Sequence, residues 1–134
     1  MLKILNPNVH GVLDYLYVIL FALAPAMFGF TGLVATLCYF VAGSQLVMSL
    51  ITRYPLGAIK LLPFPVHGGL ELLASLGLIA APWLFGFARV AVAPTFFVTA
   101  GIVLFCVWLC TDYKGVSLDG RRSVAREREM TGVR

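Results

Sequence analysis

The sequence predicts an all-α integral membrane protein, a four-helix bundle made of two tandem, parallel helical-hairpin repeats. Three observations predict this fold: the composition, four long apolar windows, and a motif that occurs twice. Of the 134 residues, 60% are hydrophobic and 12% are charged, whereas soluble domains carry about 25% charged residues. So few charges cannot cover the surface of a soluble domain, but lipid can face apolar side chains directly.

Four windows are long enough to cross a bilayer, which takes about 20 apolar residues in a helix. They are Val9–Phe28, Leu33–Ile51, Gly68–Phe87 and Val90–Cys110. The breaks within each pair are short, so the two helices of a pair must run antiparallel. The segment Thr52–Pro65 contains three prolines and is expected to be the loop between the hairpins.

The domain organisation follows from these windows. We expect one transmembrane domain over residues 1–116, with the first repeat at about 9–54 and the second at about 66–113. Residues 117–134 are rich in arginine and poor in apolar side chains, which predicts a basic, disordered tail. A basic tail is attracted to anionic lipid headgroups, whereas nucleic-acid binding would require a fold that this segment lacks. A homo-oligomer is compatible with the sequence.

The positions of lysine and arginine predict the orientation in the plasma (inner) membrane. With four spans, both termini and the loop between the hairpins lie on one side of the bilayer. That side carries nine basic residues: Lys3, Arg53, Lys60, Lys114, Arg121, Arg122, Arg126, Arg128 and Arg134. The opposite side carries only Arg89. Because basic loops stay in the cytoplasm, both termini are predicted to be cytoplasmic.

One motif is present twice, at an offset of 57 residues. Val9-His10-Gly11 aligns with Val66-His67-Gly68, and the pattern A-P-x-x-F-G-F follows in both copies, starting at Ala24 and Ala81. Each copy contains two spans, so both hairpins enter the membrane in the same direction. Such repeats are related by a pseudo-two-fold axis along the membrane normal, which predicts that the two histidines lie at equal depth.

The end of the first helix in each repeat resembles a known family. Ala81-Pro82-Trp83 and its counterpart Ala24-Pro25-Ala26 are similar to the Ser-Pro-Trp motif of the SPW-repeat family of small membrane proteins. In that family the motif ends the first helix of a two-helix repeat. This sequence has alanine in place of serine in both copies and keeps the tryptophan once. The resemblance covers most of residues 9–110 and implies the architecture, but it implies no activity.

Two histidine–carboxylate pairs are the candidate site. Asp14 follows His10 by four residues, and Glu71 follows His67 by four residues, so each pair shares one helix face. The chain has no other histidine, and its four predicted spans contain no other acidic residue. Ionisable groups inside a membrane are costly and usually face the interior of a bundle. We therefore expect both pairs to point inward, each carboxylate close to a histidine.

Several interpretations of these pairs remain open. The pairs could close the cytoplasmic mouth of the bundle by hydrogen bonding, in a structural or accessory module without chemistry. Alternatively, the protein handles an ion or a cofactor. His10 and His67 could be axial ligands of haem b, with Asp14 and Glu71 orienting their second nitrogens. The four side chains could bind a divalent metal or gate a proton or solute path. No catalytic Ser/His/Asp set, P-loop or dinucleotide fingerprint is present, so no conventional enzyme is expected.

Overall fold

The computed structural model describes residues 4–114, 128–130 and 132. Residues 4–114 form four α-helices and no β-strand, which confirms the predicted all-α class. The helices are α1 (Pro7–Phe28), α2 (Gly32–Ile51), α3 (Phe64–Leu84) and α4 (Ala93–Cys110). All four are long and apolar enough to cross a membrane. Most of the tail 117–134, for which disorder is predicted, lies outside the described residues.

The predicted bounds of the second hairpin are wrong by several residues. Helix α3 begins at Phe64, within the stretch Pro63-Phe64-Pro65 where the sequence predicts the start of this helix, but it ends at Leu84 rather than Phe87, and α4 begins at Ala93 rather than Val90. Proline is compatible with the first turn of a helix, which explains why α3 already begins before Pro65. Pro65 lies in the first turn of α3, where the backbone N–H has no partner within the helix and proline is tolerated.

Local signals set the ends of α1. The Asn6 side chain accepts a hydrogen bond of 2.9 Å from the backbone N–H of Val9, which caps the first turn. At the other end, Gly29 has φ +67° and its N–H bonds to the carbonyl of Pro25. This left-handed conformation is easily adopted only by glycine, as the repeated F-G-F pattern predicts.

The helices pack as two hairpins, α1 with α2 and α3 with α4. Backbone hydrogen bonds join the hairpins at the end where α1 and α3 begin. The N–H of Leu5 bonds to the Cys110 carbonyl at 2.9 Å, and the N–H of Leu62 bonds to the Ile51 carbonyl at 2.8 Å. The chain entering α1 is therefore held against the end of α4, and the chain entering α3 against the end of α2.

The interior of the bundle has an apolar part and a polar part. Side chains such as Phe21, Val34 and Phe97 form an apolar core towards the hairpin turns. Large apolar side chains, including Leu16, Phe40 and Leu73, are more than half exposed on the outer faces of the helices. Such an outer surface suits lipid. The buried polar residues collect at the end where the hairpins join.

Candidate functional site

The two histidine–carboxylate pairs meet in the centre of the bundle. His10 and Asp14 lie on α1 and His67 and Glu71 on α3, and none of the four side chains is more than 2% exposed. Both helices place the histidine in the first turns and the carboxylate one turn further in. The two pairs therefore face each other across the interface between the hairpins.

The ring nitrogens of the two histidines converge with the carboxylates. His10 Nε2 lies 3.3 Å from His67 Nε2. Asp14 approaches both rings, with Oδ1 3.5 Å from His10 Nε2 and Oδ2 3.3 Å from His67 Nε2. Glu71 approaches the histidine of the other hairpin, with Oε2 3.5 Å from His10 Nε2. Each carboxylate is thus close to a histidine, as we expect from the cost of burying it.

Two threonines determine which nitrogen of each neutral imidazole ring carries the proton. His67 Nδ1 lies 2.8 Å from Thr52 Oγ1, and His10 Nδ1 lies 2.9 Å from Thr111 Oγ1. Each hydroxyl already donates its proton to a carbonyl one turn earlier in its helix, at 2.6 Å and 2.7 Å. A hydroxyl has a single proton to donate, so each must accept the Nδ1–H of its histidine. In each neutral ring, Nε2 consequently carries the free lone pair, and the two Nε2 atoms lie 3.3 Å apart.

Two tyrosines and a glutamine hold the carboxylates. The Tyr54 hydroxyl donates to Asp14 Oδ2 at 3.2 Å, and Gln45 Nε2 donates to Asp14 Oδ1 at 3.0 Å. The Tyr113 hydroxyl donates to Glu71 Oε2. Burial raises the pKa of Tyr54 and of Tyr113 above the usual value, and the Glu71 charge raises that of Tyr113 further. Both hydroxyls therefore stay protonated at neutral pH and donate.

The glycines beside the histidines make room for these tyrosines. A Cβ at Gly11 would lie 2.5 Å from Tyr54 Cε2, and a Cβ at Gly68 would lie 2.7 Å from Tyr113 Cε1. The V-H-G motif thus has two functions at once, because the histidine enters the site and the glycine admits the ring of a tyrosine that follows α2 or α4. When the chain is aligned with itself, Thr52 and Tyr54 match Thr111 and Tyr113 at an offset of 59 residues. This match alone does not assign the four residues to the site.

Aromatic rings cover the histidines at the end where α1 and α3 begin. The Phe64 ring centroid lies 5.3 Å from that of His10 and 5.9 Å from that of His67. The Tyr54 ring stacks on Phe64 at a centroid distance of 5.7 Å, and the Tyr113 ring packs against Phe64 at 4.8 Å. We call Tyr54, Phe64 and Tyr113 the aromatic cover. Because Tyr54 and Phe64 are only 2% exposed, the site is closed at this end.

No family model, curated protein or solved structure matches this chain. The resemblance to the SPW-repeat family therefore stays a hypothesis based on the motif.

Within residues 4–114, the ion pairs that the site's carboxylates form are with histidine rather than with lysine or arginine. With both rings neutral, two ionised carboxylates would leave two negative charges in a buried space, which costs several kcal/mol for each ion. Glu71 Oε1 in addition has no hydrogen-bond partner. The site thus requires positive charge, either as protons or as a cation.

The geometry favours a metal ion over a haem. Two axial histidines of a haem lie on opposite faces of a flat macrocycle, whereas the two Nε2 atoms are 3.3 Å apart and surrounded by carboxylates and the aromatic cover. A porphyrin does not fit between them. By contrast, His10, Asp14 and His67 each offer a ligand atom, and these atoms lie within 4.8 Å of one another.

Proposed function

We propose that this protein is an ion-handling membrane protein that binds one divalent transition-metal ion through His10, His67 and Asp14, with Glu71 beside the ion. The observation that carries the proposal is the spacing of the ligand atoms. Metal–nitrogen bonds of about 2.0–2.1 Å at a tetrahedral ion separate two ligand atoms by about 3.3–3.4 Å. The two Nε2 atoms are 3.3 Å apart, and Asp14 Oδ2 is 3.3 Å from one of them.

The tautomers support the same proposal. A histidine that binds a metal through Nε2 donates its Nδ1–H to an oxygen, which orients the ring. Thr52 and Thr111 accept that bond from His67 and His10. Two imidazole nitrogens and a carboxylate suit zinc and the other divalent first-row metals, whereas magnesium and calcium prefer oxygen ligands alone. A divalent ion would also balance the two carboxylates.

The repeat explains how the chain builds this site, and it is part of the proposal. We infer that the two hairpins are tandem, parallel copies related by a pseudo-two-fold axis through the ion. Contacts that recur in both halves support this arrangement. Thr52 contacts His67 as Thr111 contacts His10, and Leu62 pairs with Thr52 as Leu5 pairs with Thr111.

The orientation in the plasma membrane completes the proposal. The excess of lysine and arginine at both termini and in the central loop supports cytoplasmic termini. The histidines then lie near the cytoplasmic face, since they occupy the first turns of α1 and α3. The basic tail binds anionic lipid headgroups on the same side.

Metal binding by the purified protein tests this function. We expect the detergent-solubilised protein to bind one equivalent of zinc. His10→Ala and His67→Ala should each weaken binding by more than the roughly 10–100-fold that loss of a hydrogen-bond partner of a ligand costs. Asp112→Asn is the matched control, because Asp112 follows α4 at the same end of the bundle but lies outside the four residues of the site.

The alternative function is a structural or accessory module, in which the same network only joins the hairpins. That function predicts no stoichiometric metal and no change in stability when zinc is added. Zinc binding that survives in both alanine variants would also refute the metal site.

A further inference from the structure

The loop between the hairpins, residues 52–62, is folded against the end of α2. The N–H of Ile59 bonds to the Leu50 carbonyl at 3.0 Å, and the N–H of Leu61 bonds to the Ile51 carbonyl at 2.7 Å. Helix α2 has 20 residues, which at about 1.5 Å per residue span the roughly 30 Å of a hydrocarbon core. Because the loop contacts the last turn of α2, it lies at the edge of that core, where the lipid headgroups begin.

The loop presents two apolar side chains with a lysine between them. Ile59 is 62% exposed and Leu61 is 65% exposed, and Lys60 is exposed as well. Lys60 has φ +53°, in the left-handed region that interrupts an extended chain, and three consecutive side chains are therefore exposed together. At the edge of a bilayer the two apolar side chains reach acyl chains, while the stem of a lysine extends beside them and brings its charge to the phosphates.

Arg53 brings a second cation to the same place. Its Nε donates a hydrogen bond of 2.7 Å to the Lys60 carbonyl, and its backbone N–H bonds to the Leu62 carbonyl at 2.8 Å. Within residues 4–114 the guanidinium forms no ion pair with a carboxylate, so its two terminal nitrogens can form the paired hydrogen bonds that arginine makes to phosphate. The second repeat has Asp112 at the position of Arg53, so only this loop carries the cation.

We propose that the loop between the hairpins binds one anionic phospholipid. Arg53 and Lys60 hold its phosphate by charge-assisted hydrogen bonds. Ile59 and Leu61 lie against its acyl chains. Two cations side by side favour a lipid with a net negative charge, such as phosphatidylglycerol, over zwitterionic phosphatidylcholine. This lipid site is separate from the metal site and from the basic tail, and its formation depends on neither of them.

Native mass spectrometry counts the bound lipid directly. The full-length protein is equilibrated in detergent with equal amounts of phosphatidylglycerol and phosphatidylcholine, at about 0.5 M salt to screen the diffuse attraction of the basic tail. We expect one phosphatidylglycerol to stay bound. Arg53→Lys keeps the charge but loses the planar fork, and Lys60→Gln loses the charge but keeps the carbonyl that Arg53 binds. Each variant should weaken binding roughly ten-fold or more, as expected for lost hydrogen bonds to a charged group.

Lys114→Gln is the matched control, because it removes one charge from an exposed residue just after α4, at the same end of the bundle. It should leave the bound lipid unchanged. The substituted side chains are exposed, so the circular dichroism of every variant should match that of the original protein. Equal retention of the two lipids would overturn the proposal, and so would unchanged binding in Arg53→Lys and Lys60→Gln.

A further comparison separates a lipid from free phosphate. Glycerol phosphate carries the headgroup phosphate without acyl chains, so it should not displace the lipid when present in equal amount. The double variant Ile59→Ser, Leu61→Ser should lose the lipid although both cations remain. Displacement by glycerol phosphate, together with full lipid retention in the double variant, would show a site for free phosphate and overturn the lipid site.

Discussion

At the scale of residues, the site depends on which atom each proton occupies. The two threonines force both histidines into the form with a free Nε2, because each threonine proton is already bonded to a backbone carbonyl. The sequence predicts the histidines and carboxylates, since intramembrane ionisable groups are rare. It does not predict the threonines. Thr52 and Thr111 directly follow helices α2 and α4, and only the path of the chain brings them to the rings.

Thr52→Val tests this protonation. Valine keeps the shape but leaves the Nδ1–H of His67 without an acceptor, so zinc affinity should fall by roughly 10–100-fold. Thr111→Val should have the same effect through His10. Thr36→Val is the control, because Thr36 makes the same bond to a carbonyl one turn earlier but is exposed on α2. Affinities are measured by competition with a chromophoric chelator. An unchanged affinity in both site variants would contradict the assigned tautomers.

At the scale of helices, close packing explains which parts of the pattern are necessary. The hydropathy of the sequence predicts four helices because length and apolar content suffice for that. The start of α3 at Phe64 is predicted too, because proline is accepted in a first helical turn, whereas the end of α3 at Leu84 and the start of α4 at Ala93 are not. The repeat matches Gly68, but not Gly69, with a glycine of the first copy, and it does not predict what that glycine contacts. The structure shows that, of the two, only Gly68 faces an aromatic ring.

Gly68→Ala and Gly69→Ala form a matched pair that tests this packing. A Cβ at Gly68 would lie 2.7 Å from Tyr113, whereas a Cβ at Gly69 meets nothing within 4 Å. We expect Gly68→Ala to lower the free energy of unfolding by about 1–3 kcal/mol, the usual cost of overpacking. Gly69→Ala should leave stability unchanged or raise it, since alanine favours helix. Thermal unfolding in detergent measures both. Equal effects would show that the tyrosine does not pack on this helix.

At the scale of the whole molecule, the site joins two hairpins that otherwise pack mainly within themselves. An ion bound by α1 and α3 would therefore stabilise the assembly of the hairpins, not only their local structure. The repeated motif predicts that the two histidines lie at the same level, and their Nε2 atoms are in contact. It does not predict that Glu71 lies against His10, because an exchange between the repeats depends on how closely α1 and α3 approach.

Reporter fusions test the orientation of the hairpins. A reporter placed after Gly32 and one placed after Ile59 should give opposite signals, because α2 separates these positions. The second should report the cytoplasm, the side with the basic residues. A phosphatase active outside and a fluorescent protein active inside serve as the two reporters. The same signal from both positions would refute four spans with cytoplasmic termini.

The X-ray absorption spectrum of the zinc-loaded protein tests the central claim most directly. The account predicts two imidazole nitrogens at about 2.0–2.1 Å together with oxygen ligands and no sulfur. His10→Ala and His67→Ala should each remove an imidazole from the spectrum. A protein that takes up no zinc, or whose zinc has sulfur ligands or fewer than two imidazoles, would contradict a metal site between the hairpins.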